Sequence, residues 1–247
     1  MTSDSTTLTR EDAEQYARSE MERLFREVPL TREFHQGGFM EEGYYRRHLL
    51  ETILRIRLNN EVDAYCLYRM GSRHDALAGR LAQYLAEEYG HDHMFLRDLK
   101  RFGTTKEQVA DAKPFFSTEL LIGYLYHAIS HDGPMPTMVW NWFVEWYSNE
   151  YNLSITNAAA DAFGAERVQG SLKHIGVDDQ EDHVGLMFST IEAVMTKPGD
   201  AERVKGYLTN FVSLIAMYFG ELHDFHRGGG AGRGAVPALS AAAPEQG

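Results

Sequence analysis

Apolar side chains recur along this chain at three- and four-residue spacing, and no stretch shows the period of two that a half-buried strand needs. Leu50, Ile53, Leu54 and Leu58 mark one stripe, in a helix expected over residues 39–70, with Asn59 and Asn60 as the place where it could break or kink. Tyr16, Met21, Leu24 and Phe25 mark another, in a helix from Thr9 to about Glu27. Thr9 and Asp12 have the spacing of a capping box at its start. The pattern predicts further long helices over 74–102, 117–129, 137–163, 166–195 and 201–225, and a short one from Thr105 that Pro114 closes. Residues 29–38, Gly71-Ser72, His131-Asp132-Gly133-Pro134 and Lys197-Pro198-Gly199-Asp200 read as connections. With no strand pattern and no repeat, the expected fold is all-α, a bundle of about seven helices.

Composition narrows this. A chain of 247 residues, 43% hydrophobic and 24% charged, can bury a substantial core. Residues 1–8 are expected to be disordered, 9–226 to form the helical domain, and 227–247, rich in Gly, Ala and Pro, to form a flexible tail. A net charge of −12 argues against non-specific nucleic-acid binding and leaves no polybasic membrane patch. Cys66 is the single cysteine, which excludes an intrachain disulfide and a cysteine-based zinc site. No apolar run approaches the roughly 18 residues of a membrane span. The polar, acidic start MTSDSTTLTRED does not resemble a signal peptide, so a cytoplasmic location is expected.

Three clusters carry candidate chemistry. In LAEEYGHDHMFLRDL (85–99), read as the middle of a long helix, Glu87 and Glu88 lie four and three residues before His91. At about 100° per residue, both carboxylates share a side of the helix with the imidazole. In MVWNWFVEWY, Glu145 is enclosed by Trp142, Phe143, Trp146 and Tyr147, so it is expected to face inward and to need a partner: a metal, an arginine or a tyrosine hydroxyl. Glu150, nearby, is expected to be solvated. In HIGVDDQEDH (174–183), His174 pairs with Asp178 and Asp179 with His183 at i,i+4. On one ideal helix the two histidines stand about 180° apart, and they reach one site only if the helix is over- or underwound between them, as by a π-bulge. Each cluster alone also reads as a solvated, capping or ion-paired group. Together they supply about the inventory of two carboxylate-bridged metal ions, and hard oxygens with imidazoles suit Fe(II) with positions open to dioxygen.

The stretches EEYGHDHMFLRDLKRFG, FVEWY and HIGVDDQEDHVG resemble the haem-oxygenase-like diiron oxidases, relatives in fold of TenA and PqqC, over roughly residues 40–225. The resemblance implies a haem-oxygenase-like bundle. It also implies a ligand set of Glu88 (or Glu87), His91, Glu145, His174 and Asp178. Glu181 occupies the place of the family's last histidine, and His183 comes two residues later. Asp179 with His183 is the alternative set if a bulge shifts the register. Some relatives add a carboxylate from an earlier helix, for which Glu51 and Glu61 are the candidates. The implied cofactor is Fe(II), two per chain, with O2 as co-substrate. The implied activity is oxidation of a small molecule, an amino acid or amine favoured. Oxidative decarboxylation of a fatty acid and a metal-free TenA- or PqqC-like activity are the alternatives. A homodimer is implied too.

Other groups carry less. Tyr65, Tyr68, Tyr124, Tyr126, Trp140 and Trp142 could line a pocket but read more simply as core. His223 and His226 are expected at the surface, His127 and His131 near a helix end, and Cys66 as a buried, inert thiol.

Overall fold

The computed structural model describes residues 8–71, 75–178 and 182–228, apart from the side chains of Val177 and Asp178. Every regular element among them is helical. Helix α1 (Arg10–Glu27) starts with the expected reciprocal cap: the Asp12 amide donates to the Thr9 hydroxyl at 3.1 Å, and the Thr9 amide donates back to the Asp12 carboxylate at 3.3 Å. Residues 29–35, expected as connection, form the short helix α2 (Pro29–His35), with Pro29 at a first-turn position that its ring favours and with Thr31, Phe34 and His35 buried. Helix α3 (Glu42–Met70) runs unbroken through Asn59 and Asn60. The Asn59 side chain bonds across to Trp140 and Asn141 and along to Asp63, and so does not compete with its own helix backbone.

The remaining helices are α4 (Asp75–Glu88), α5 (Asp92–Arg101), α6 (Lys106–Asp111), α7 (Phe116–Asp132), α8 (Met135–Tyr147), α9 (Leu153–Phe163), α10 (Gln169–Asp178), α11 (His183–Val194) and α12 (Asp200–Arg227). All seven long segments expected from the pattern are present, and three of them are divided. Gly90, at φ +105°, separates α4 from α5 and places His91 at the start of α5. The segment over 166–195 is likewise two helices, with His174 on α10 and His183 on α11. A π-helical turn, Ser148–Asn152, joins α8 to α9.

Helix α8 lies at the centre. Eleven of its thirteen residues are buried, so its sequence is apolar all round, as a helix enclosed on every side must be. It packs against α11, α12 and α7, and the buried apolar side chains of the described residues form one cluster. No helix among the described residues is long and apolar enough to cross a membrane.

Helix α10 is held by a carboxylate from another element. Asp98 of α5, fully buried, accepts from the amides of Gly170 and Ser171 at 2.7 Å each and from the Ser171 hydroxyl at 2.8 Å. This supplies acceptors for the orphan donors of a helix start and places negative charge where the helix dipole favours it. The backbones approach so closely that a Cβ at Gly170 would overlap the Met94 carbonyl. Gly170→Ala is expected to lower stability by roughly 1–3 kcal/mol through overpacking. A thermal melt checks this, and an unchanged Tm would show that the two helices are free to separate.

Candidate metal centre

Five side chains from five helices converge beside α8. Glu88 ends α4, His91 begins α5, Glu145 sits on α8, His174 on α10 and His183 in the first turn of α11. They form two overlapping triads, Glu88–His91–His174 and Glu88–Glu145–His183, in each of which one oxygen or nitrogen per residue lies within 4.8 Å of the others. Glu88 belongs to both. Glu145, His91 and His183 are only 6%, 7% and 4% exposed. His91 Nδ1 lies 3.1 Å from Glu88 Oε2, and His183 Nδ1 lies 3.6 Å from Glu145 Oε2.

Local structure explains each approach. Gly90 turns the chain between Glu88 and His91, so the pair closes across a helix break rather than along one continuous face. Asp98, seven residues after His91 on the same face of α5, caps α10 one turn before His174, and the two imidazole centroids end 4.9 Å apart. The break between α10 and α11 removes the 180° problem that one continuous helix would have posed. Glu87, on the rim and half-buried, reaches His183 Nε2 at 3.6 Å. Asp179 and the side chain of Asp178 lie outside the described residues.

A second ring of polar groups supports the first. The Tyr84 hydroxyl donates to Glu145 Oε1 at 2.6 Å, which orients the carboxylate. Asp63, fully buried on α3, accepts from Asn141 at 2.9 Å and from Asn59 at 3.3 Å. Asp63, Tyr84 and Asn141 were missed in the sequence. The available signal was Asn141 four residues before Glu145, two polar groups on one face of an otherwise apolar helix.

The other candidates fall elsewhere. Glu51 is buried in a separate network with Arg47, Thr118 and the Phe115 amide, and Glu61 is exposed, so neither joins the triads. His223 is buried against Tyr44 rather than at the surface, because the last helix keeps packing through its final turns. Glu150 pairs with Arg18 on the outside. Cys66 is buried, and burial pushes its thiol up to about 12.

A cavity of about 130 Å³ opens beside Glu88, Glu145 and His174. Trp140, Phe143, Phe95 and Ile56 give it apolar walls, and Arg55, Asn59, Tyr147 and Tyr218 add polar ones. Of the aromatic residues considered as pocket lining, Trp140 alone is there among them; Trp142 is core, and Tyr68 is 80% exposed.

Burial, with the Glu88 charge adding to it, pushes the Asp63 carboxyl up to about 8 against the opposing bond from Asn141. A carboxyl raised in the folded state binds more protons there than in the unfolded chain, so its contribution to stability is lost as pH rises from its unfolded value toward about 8. In metal-free protein, Asp63→Asn should therefore gain in Tm relative to wild type between about pH 5 and about pH 9. A difference that stays flat across that range would show Asp63 ionised throughout.

No family model matches the chain, and no curated protein matches it. Two solved structures resemble it along nearly its whole length. One is a domain of unknown function with a heme oxygenase-like fold from Shewanella denitrificans OS217, which aligns with a TM-score of 0.77 at 19% identity and covers 92% of this chain and 97% of that one. The other is a TenA homolog from Pseudomonas syringae pv. tomato DC3000, with a TM-score of 0.68 at 16% identity, covering 88% of this chain and 98% of that one. At such identities the likeness is one of architecture: this chain has the haem-oxygenase-like, TenA-type all-α fold.

Proposed function

We propose that this chain is an iron-dependent oxidoreductase that uses O2 on a small molecule. The observation that carries the reading is the pair of donor triads sharing Glu88. Donors bound to one ion at about 2.1 Å, at right angles to each other, sit about 3 Å apart. The His91–Glu88 spacing of 3.1 Å and the His183–Glu145 spacing of 3.6 Å are close to that before any adjustment. Carboxylates and imidazoles are the donors that suit Fe(II). Glu88 would bridge two ions, His91 and His174 would complete one set, and Glu145 and His183 the other. Iron held there supplies the redox chemistry that activates O2.

The protein's own residues set the conditions. Tyr84 fixes Glu145, and Asn59 and Asn141 fix Asp63. The apolar walls keep water away from the reacting atoms. A volume of about 130 Å³ is near that of an engineered cavity of ~150 Å³ that holds benzene. That size favours an amino acid or small amine over a long fatty acid. The alternative, a metal-free TenA-like activity, has no support from Cys66, whose buried thiol lies outside the cavity lining.

Anaerobic reconstitution with Fe(II) tests this. Wild type is expected to bind about two irons per chain, His174→Ala about one, and Glu88→Ala well under one, because Glu88 serves both sets. Mixing the loaded protein with O2 should then produce a visible absorbance change and consume O2. A wild-type protein that binds no iron would sink the proposal and leave the metal-free reading, with the same carboxylates and histidines as acids and bases.

A further inference from the structure

A second arginine on α3, partly buried, has no carboxylate partner among the described residues. Arg47, on the same helix, is fully enclosed and paired with Glu51. Arg55, two turns on, lines the cavity. Its Nη2 donates weakly to Thr52 Oγ1 at 3.5 Å, and its guanidinium carbon lies 4.3 Å from the centre of the Tyr218 ring. Its Nη1 is shielded from solvent and makes no hydrogen bond, while the guanidinium as a whole lies close enough to the Tyr218 hydroxyl to favour that group's ionised form. Among the described residues, no aspartate or glutamate forms an ion pair with it. His48 adds no second positive charge beside it, since burial first and the Arg55 charge second hold the imidazole pKa well below the ordinary value.

Buried cations are costly unless paired, and a chain with a net charge of −12 does not lack for carboxylates. A guanidinium without a counter-charge that faces a partly open, largely apolar cavity is a preformed anion site. Its place in the fold sets the ligand. Arg55, Asn59 and Asp63 follow one another at i,i+4 on one face of α3, with about 12 Å of rise between the first and last. Asp63 lies at the level of Glu88, whose charge it feels, and Glu88, Glu145 and His174 line the same cavity as Arg55. The cavity thus has a cationic end and a carboxylate–histidine end, with Asn59 between them along α3.

We infer that Arg55 is the substrate-carboxylate receptor of this cavity, and that its ligand is a small monocarboxylate whose far end reaches the Glu88, Glu145 and His174 group. This rests on the proposed reading of the cavity as the substrate site and adds the chemical class of what enters it. A single guanidinium matches a single negative charge. A phosphate dianion would leave excess charge facing Glu88 and Glu145.

The test uses the full-length, metal-free chain, so that it stands apart from the iron experiment. Binding is measured by calorimetry for benzoate, pentanoate and L-leucine, each beside its primary amide, and for inorganic phosphate. At least one carboxylate should bind about 10- to 100-fold more tightly than its amide, the range a charge-assisted bond supplies. Arg55→Gln should abolish that preference, and Arg55→Lys should retain part of it. Iron stoichiometry in Arg55→Gln should match wild type, which separates loss of the carboxylate receptor from loss of a metal site. The ligand-free Tm of Arg55→Gln should be unchanged or higher, because a partly desolvated cation without a counter-charge is removed. The proposal is overturned if no carboxylate is preferred to its amide, if the preference survives Arg55→Gln, if phosphate alone binds, or if Arg55→Gln markedly lowers Tm and so makes the side chain structural.

Discussion

A carboxylate carried into an apolar helical core needs a partner there, and much of this molecule is arranged around meeting that need. Asp98, Glu51, Glu145 and Asp63 are all buried, and each is met differently. Asp98 takes the amide donors of a helix start. Glu51 takes an arginine, a hydroxyl and a backbone amide. Glu145 takes a tyrosine and faces a histidine. Asp63 is held by two asparagine amides, and burial still drives it toward its neutral form. The first two are structural pairings that join helices. The last two stand where α8 meets its neighbours close to the donor groups, Glu145 on α8 and Asp63 on α3 bonded to Asn141 of α8.

The structural pairings are what make that gathering possible. Asp98 anchors α10 against α5, and the glycine at 170 lets the two backbones close, so His174 comes to rest beside His91. Gly90 breaks the preceding helix where Glu88 must turn toward the same point. Helix α8 carries Glu145 through the middle of the core, and the π turn at its end brings Ser148 and Asn152 to the cavity wall. Helix breaks, usually a cost, here act as positioning devices, in keeping with the concentration of irregular helical turns at functional sites.

The cavity itself is polarised. One end gathers carboxylates and imidazoles, the other holds the Arg55 guanidinium, and Asn59 stands between them along α3. A core selected for stability alone would not leave a cation without a counter-charge or crowd several carboxylates together. Both features oppose folding and are sustained by the extensive apolar packing around them.

The helical class, the capping box at Thr9, the helix start at Thr105, and the inward orientation of Glu145 were legible in the sequence, because hydrophobic period, cap chemistry and enclosure by aromatic neighbours are local properties. The proximity of Glu88 and His91 was legible too, though through the wrong geometry, since the spacing suggested one continuous helix and Gly90 breaks it. His174 and His183 could not be joined on sequence grounds, because their convergence depends on two helices meeting rather than on the twist of one. Asp63, Tyr84 and Arg55 carry no motif, and their roles follow from what packs opposite them on α8 and across the cavity. Local pattern sufficed for most of the helical segments, though not for α2 or for where three long ones divide, and for the Glu145 carboxylate embedded in an apolar stretch. Which polar groups share a site, and which are left without a counter-charge, was decided only by the tertiary structure, because burial and pairing depend on contacts between residues far apart in the chain.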